Sequence, residues 1–251
     1  MSWWGPMAIA PGDARTCEVG PLRLRATRRP EEWALAWRRL PEHGPAPVEP
    51  ADPWAGAETA RFAFSETAGP LELMPALPDR EVVASPEAPF WLPPGERVRA
   101  YVGVAVWVQI CVGPGRRLLT ELPASRPPDT WFGSPTEGTL CYGSRTALRL
   151  DLAGLPTLPH RAIVPVELRN SGKEPLEVAR LRLPAPSLPV LVDGQGRLWT
   201  PPVVLERHED ENATAQEGAP PPDQRPLAPA RAARSGSLFH AFNAFFGRGR
   251  A

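Results

Sequence analysis

Val98-Arg99-Ala100-Tyr101-Val102-Gly103-Val104-Ala105-Val106-Trp107-Val108-Gln109-Ile110-Cys111-Val112 carries an aliphatic side chain at every second position from Val98 to Val112. Side chains of a strand alternate between the two faces of a sheet, so this period of two makes the stretch a β-strand with one continuous apolar face. The intervening positions mix Arg99, Tyr101, Gly103, Trp107 and Gln109, and Gly103 marks a bend or bulge at which one long strand serves two sheets.

Shorter runs of the same kind lie on either side. Leu22, Leu24 and Ala26 alternate with Arg23, Arg25 and Thr27; Phe62 and Phe64 follow Arg61; Leu71 and Leu73 flank Glu72. Downstream, Arg161–Asn170 and Leu176–Leu183 flank Ser171-Gly172-Lys173-Glu174-Pro175, which predicts a hairpin with Pro165 at an edge or bulge. A second hairpin joins Pro189–Val192 to Arg197–Trp199 across Asp193-Gly194-Gln195-Gly196. Pro30–Arg39 reads equally as a short helix, with acids first and Arg last, or as a strand, since Trp33, Leu35 and Trp37 alternate. Pro41–Trp54 is a proline-rich surface loop.

Composition agrees with an all-β chain. The 35 Pro and 21 Gly among 251 residues are poor helix formers, while 42% apolar residues with nine Trp and eight Phe suffice for a core. The expected architecture is an antiparallel β-sandwich of the immunoglobulin-like class over 1–207, without the Cys-Trp-Cys pattern of antibody domains and with a division into two packed halves near 145. Formal charge is zero, from 28 basic and 28 acidic residues, so no global field draws the chain to nucleic acid. Lys173 is the single lysine, a bias read as codon composition in a GC-rich genome. The N-terminus lacks the pattern of a secretory signal and no apolar run is long enough to span a bilayer, which predicts a cytoplasmic protein.

Beyond Arg207 the composition changes. Residues 208–236 hold one large aliphatic side chain, Leu227, and are expected to be disordered. Charge there is segregated, with six acids from Glu206 to Asp223 and only Arg from Gln224 onward. In residues 237–251, Leu238, Phe239, Phe242, Phe245 and Phe246 recur at helical spacing behind Ser237 as N-cap and before Gly247. An amphipathic helix too short to fold alone in water is expected, flanked by Arg248 and Arg250. It either packs back on its own sandwich or docks on another protein or on a membrane surface.

No catalytic constellation is legible. His43, His208 and His240 fall in the proline loop, the tail and the terminal helix, leaving His160 as the one histidine placed before a strand. Cys17, Cys111 and Cys141 are far apart and odd in number, fitting neither a disulfide framework nor a zinc site, and read as buried free thiols. Gly133-Ser134-Pro135-Thr136-Glu137-Gly138 is Gly-bounded, but Pro135 removes a donor from any anion cradle, so it reads as a turn. Glu31-Glu32 and Glu209–Glu211 read as solvated faces, and Asn212-Ala213-Thr214 as a chance glycosylation triplet. No cofactor or metal is implied. Among the aromatics, Trp54, Trp91 and Trp131 are the candidates for stacking on a base or sugar.

Trp3-Trp4-Gly5, Val19-Gly20-Pro21-Leu22-Arg23-Leu24 with Glu32-Trp33, Trp131-Phe132-Gly133 through Gly138-Thr139-Leu140-Cys141-Tyr142, Val164–Leu183 and Leu198-Trp199-Thr200 together resemble the family known as domain of unknown function 432. The resemblance favours a strand at Trp33, paired with Leu22–Thr27. A loose association of some members with small mechanosensitive channels implies a membrane-proximal accessory role. It implies no catalytic residue. The expected function is a non-catalytic interaction or accessory protein with a protein partner; the alternative is an enzyme or carbohydrate-binding module using loop aromatics and carboxylates.

Overall fold

The structure is a computed structural model, and it describes residues 4–42, 52–67, 69–209, 212–231, 238–241 and 246–247. It is all-β: among the described residues there is no α-helix, only two 3-10 turns at Leu152–Gly154 and Ala185–Ser187. Two compact units divide the chain, one formed by Met1–Pro75 with Val106–Ser125 and the other by Ala76–Ala105 with Arg126–Ala251. The division is thus interleaved rather than a cut near 145.

The first unit holds two four-stranded sheets. One is a meander of β2 (Ala14–Val19), β3 (Leu22–Arg29), β4 (Glu32–Arg39) and β5 (Glu58–Ala63). Gly20, at φ 58°, followed by Pro21 has the positive-then-negative φ sequence of a tight hairpin turn that brings Val19 opposite Leu22. The Trp33 segment is a strand: Leu24 stands opposite Trp37 and Ala26 opposite Leu35, so Trp33, Leu35 and Trp37 share a buried face with their neighbours' apolar residues. A helix would have spread these side chains around its axis. The other sheet runs β1 (Gly5–Met7), β6 (Leu71–Ala76), β10 (Trp107–Val112) and β11 (Arg117–Pro123).

The second unit is built around β14 (Arg161–Asn170). Along one side β9 (Arg97–Ala105) pairs with it antiparallel, from Arg97 opposite Arg169 to Ala105 opposite Arg161. Along the other side lie β18 (Leu198–Trp199) and β19 (Val203–Arg207), both parallel to it. From β18 the sheet continues through β17 (Val190–Val192) to β21 (Arg225–Ala228), and from β19 through β20 (Asn212–Glu217) to β22 (Leu238–Ala241). A separate sheet has the order β12 (Asp129–Phe132), β13 (Thr139–Gly143), β7 (Val82–Ala84), β16 (Arg180–Leu183) and β23 (Phe246–Gly247). β8 (Phe90–Leu92) and β15 (Leu176–Val178) form a two-stranded piece. Leu155, Ile163, Leu191 and Trp199 make one core cluster, against which Tyr101 and Leu152 pack.

The Val98–Val112 run serves two sheets as expected, but the break falls at Val106, between β9 and β10, and not at Gly103. Gly103 answers a packing need instead, because a Cβ there would stand 3.2 Å from Thr146 Oγ1.

The hairpin expected between Arg161–Asn170 and Leu176–Leu183 does not form. β15 pairs with β8 and β16 pairs with β7, so the two halves enter different sheets. The turn residues are used differently: buried Asn170 donates through Nδ2 to Leu92 O at 2.9 Å and Glu174 O at 2.8 Å, and accepts from Gly172 N at 3.2 Å, steering the chain onto β8. Pro165 is not at an edge but in the central strand. Its partner on β9, Tyr101, exchanges both backbone hydrogen bonds with Arg149, so Pro165 faces a non-hydrogen-bonded position on that side. On the other side its missing N–H meets the Thr200-Pro201-Pro202 interruption between β18 and β19.

Beyond Arg207 the chain is also not as expected. β20 and β21 fall inside 208–236, where disorder was expected, and Ala213 and Ala215 are buried. Small side chains that cannot make a core of their own add to a sheet already formed, where ladder hydrogen bonds and contacts are supplied by β19 and β17. The C-terminal helix is replaced by strands: Leu238–Ala241 pair with β20 and Phe246–Gly247 with β16. A helix of about ten residues is marginal in water, whereas an open sheet edge satisfies the same backbone groups.

Candidate functional site

The Gly133–Gly138 segment, read from sequence as a turn, closes the β12–β13 hairpin around an indole. Trp131 stands opposite Leu140 across the hairpin, and its Nε1 donates to Ser134 O at 2.8 Å. A Cβ on Gly138 would lie 2.2 Å from that Nε1, and one on Gly133, at φ 108°, would lie 2.8 Å from Gly138 Cα. Both glycines are therefore required for the indole to lie down on the turn. Trp131 and Leu140 remain 46% and 45% exposed.

Trp131 lines an open cleft of ≈ 710 Å³ in the second unit. Its lining comes from four separate segments: Val83 to Pro89, Thr130-Trp131, Gly143 to Ala147, and Ala179-Arg180. The wall chemistry is hydroxyl and guanidinium, from Ser85, Thr130, Ser144, Thr146, Arg145 and Arg180, and the lining includes no Asp, Glu, His or Cys.

The guanidinium of Arg180 is held in place. Its Nη2 donates to Trp131 O at 3.0 Å and to Thr130 Oγ1 at 3.3 Å, and it stands 5.5 Å from the ring centre of Phe132. Phe132 is itself buried with Val83 and Cys141, so Arg180 rests on a packed cluster. Thr146 Oγ1 accepts from Arg161 Nη1 at 2.8 Å, while Ser144 Oγ donates to Thr146 O at 2.9 Å and accepts from Thr146 N at 3.1 Å. These bonds tie the Ser144–Thr146 segment down beside Gly103. Arg145 is exposed, and its Nη2 reaches Arg126 O at 3.5 Å. Neighbouring arginines are matched with acids, Arg149 with Glu87, Arg182 with Glu81 and Arg80 with Asp129. Among the described residues, Arg145 and Arg180 have no carboxylate partner.

Of the stacking candidates, Trp131 lines the cleft, Trp91 is exposed on β8 outside the lining, and Trp54 belongs to the first unit. Leu238 and Phe239 lie in β22 and Phe246 in β23, while Phe242, Phe245, Arg248 and Arg250 lie outside the described residues. His160 is buried in the turn just before β14, His208 Nε2 is 3.0 Å from Thr214 Oγ1, His240 is in β22, and His43 is outside the described residues. The three cysteines are free and buried. Burial pushes the Cys17 and Cys141 thiols up to about 11, with Glu18 and Glu81 adding to it, and also raises Cys111, with Glu72 adding to it. Among the described residues no group of three or more His, Cys, Asp or Glu is placed to hold a metal, and no helix is long and apolar enough to cross a membrane.

Fold and site together define an all-β protein with a hydroxyl- and guanidinium-walled cleft on one sheet. The chain belongs to the family described as Protein of unknown function (DUF432), which matches residues 3–246. No curated protein and no solved structure matches it.

Proposed function

We propose that this is a non-catalytic, cytoplasmic recognition protein, an accessory to a protein partner, that binds through the second unit. The observation that carries this reading is the open cleft with Trp131 in its wall, beside the exposed Leu140 on the same hairpin. A pre-oriented indole, a fixed guanidinium and several hydroxyls supply binding chemistry, since they hydrogen-bond, pair with charge and stack. They supply no pair of groups that passes a proton at neutral pH. In this reading the two four-stranded sheets of the first unit are the two layers of an immunoglobulin-like sandwich, a scaffold on which binding surfaces are commonly displayed.

The test is affinity capture with the full chain and with a Trp131→Ser/Leu140→Ser double variant, each checked for fold by circular dichroism. The reading expects a partner retained by the full chain and lost by the folded variant. Equal retention by both overturns it.

A further inference from the structure

We propose that the open edge of β5 is a docking site for an extended segment of a partner protein, which joins the first unit's meander as a fifth strand and sets an acidic residue against Arg61. The site is separate from the cleft of the second unit, and the proposal does not rest on the recognition reading above.

Backbone direction comes first. Successive residues of an antiparallel strand turn their N–H and C=O groups to opposite sides. Phe64 N donates at 2.8 Å to the residue directly opposite it on the continued β4–β5 register, at Glu31 O, so the alternate residues Glu58, Ala60 and Phe62 bond towards β4. On the other side of β4, Leu40 N donates to Pro21 O at 2.7 Å, which fixes the same alternation from β3. The backbone groups of Thr59, Arg61 and Ala63 therefore point away from the sheet. Among the described residues no strand pairs with β5 on that side, and no backbone hydrogen bond meets these groups. Donors and acceptors at a two-residue repeat fit one kind of occupant, another extended backbone.

Other edges of this protein are guarded. Across the same sheet, β2 is entered through a bulge, where Gly12 N donates to Arg28 O and Arg28 N to Asp13 O. β1 contains Pro6 and β21 contains Pro226. On β12 the carbonyl of Trp131 is taken by Arg180 Nη2 at 3.0 Å. Prolines, bulges and occupied carbonyls keep added strands away. β5 instead runs six residues in unbroken register with β4, with no proline and no bulge.

Side chains then select the strand. Ala60 and Phe62 share the face of Leu35 and Trp33 and are only half-buried, so apolar residues opposite them would extend the covered face of the sheet. Arg61 lies on the other face, with its side chain 71% exposed. Its partner Glu32 is shared: Oε1 accepts from Arg29 Nη1 and Oε2 from Arg61 Nε, both at 2.8 Å. One carboxylate serves two guanidinium groups, and an acid opposite Arg61 restores the balance. A second copy of β5 in isologous antiparallel pairing does not supply that acid, because Glu58 lies on the Ala60–Phe62 face and paired residues share a face.

The test pans a phage-displayed library of random peptides on the full chain and titrates the enriched peptides, synthesised with a fluorescent label, by anisotropy. They should alternate apolar residues about an Asp or Glu, and on binding they should slow hydrogen exchange at Thr59, Arg61 and Ala63. A Thr59→Pro/Ala63→Pro double variant loses only outward N–H groups, so it should keep its circular dichroism and weaken binding at least about tenfold, as loss of two hydrogen bonds does. Arg61→Glu should turn the preference from acidic to basic peptides. Trp131→Ser/Leu140→Ser should leave peptide binding unchanged, which separates this site from the cleft. Failure to enrich any such peptide, equal binding by the folded proline variant, or unchanged exchange at the three amides overturns the proposal. Edge-dependent peptides without an acid overturn the pairing with Arg61. A dimer of the full chain in light scattering that the proline variant abolishes makes a second copy the occupant and overturns the partner segment.

Discussion

The indole of Trp131 lies on Gly138 so closely that a Cβ at position 138 would come within 2.2 Å of Nε1, 2.5 Å of Cε2 and 2.7 Å of Ser134 O. A segment that reads from sequence as an ordinary turn is thus the seat of an aromatic side chain.

Gly138→Ala should therefore dislodge the indole. Tryptophan emission should shift to the red as the ring enters water. Overpacking of this kind costs about 1–3 kcal/mol, read as a lower denaturant midpoint. An unchanged emission spectrum would mean that the turn gives way instead of the ring.

Phe132→Ala removes the ring under Arg180 and Arg182, each within 5.7 Å of its centre. The buried cavity should cost about 3–5 kcal/mol in urea unfolding. Phe132→Leu keeps most of the volume and should recover much of the stability, but not the cation-π seat of Arg180.

The thiols of Cys17, Cys111 and Cys141 should be silent in the native protein. Burial raises all three, Cys17 and Cys141 to about 11, so almost no thiolate exists at pH 7.5. A chromogenic disulfide reagent should titrate all three thiols in denaturant and none quickly without it. Fast labelling of any of them under native conditions would contradict the burial.

Asp193 organises the β17–β18 hairpin. Its Oδ1 accepts from Gln195 N and Arg197 N, both at 2.9 Å, and its Oδ2 from Arg197 Nε at 2.6 Å and buried Trp199 Nε1 at 2.9 Å. Burial pushes the carboxyl up, but these bonds outweigh it and hold it below the usual carboxylate range. With the folded value below the unfolded one of about 3.9, the charged form stabilises the fold above that pH, and the contribution is lost as pH falls through the folded value. Asp193→Ala should cost about 2–4 kcal/mol at pH 7, chiefly through the orphaned Trp199 N–H. The gap in thermal midpoint between wild type and Asp193→Asn should narrow below about pH 4.

Strands β22 and β23 cover the edges of β20 and β16. A chain ending at Arg231 should keep its circular dichroism but show faster hydrogen exchange among the amides of Asn212 to Ala215, which lose the partner strand. Unchanged exchange there would speak for a tail that engages a different target, as its Phe and Arg content suggested.

The strands themselves were legible wherever one face is buried. Trp33, Leu35 and Trp37 alternate, as do Val98 to Val112, because a strand with one apolar face writes its period directly into the chain. The Asp193–Gly196 turn was legible for a similar reason, since an Asp that binds backbone amides within four residues is a local device. The tail was misread because its Phe spacing satisfies a helical stripe, while the outcome depended on the open sheet edges of β20 and β16, earlier in the chain and outside the tail's own local pattern.

What the sequence determined alone is the all-β class and, before Arg207, most of the strands, each set by contacts within a few residues. Which strands pair was decided only by the tertiary structure. Every residue but proline offers the same backbone donor and acceptor, so the pairing of β14 with β9, β18 and β19 instead of its sequence neighbour has no local signature. The same holds for the cleft: Ser85, Trp131, Arg145 and Arg180 are ordinary residues in four distant segments, and only the β12-β13-β7-β16 order brings those segments together.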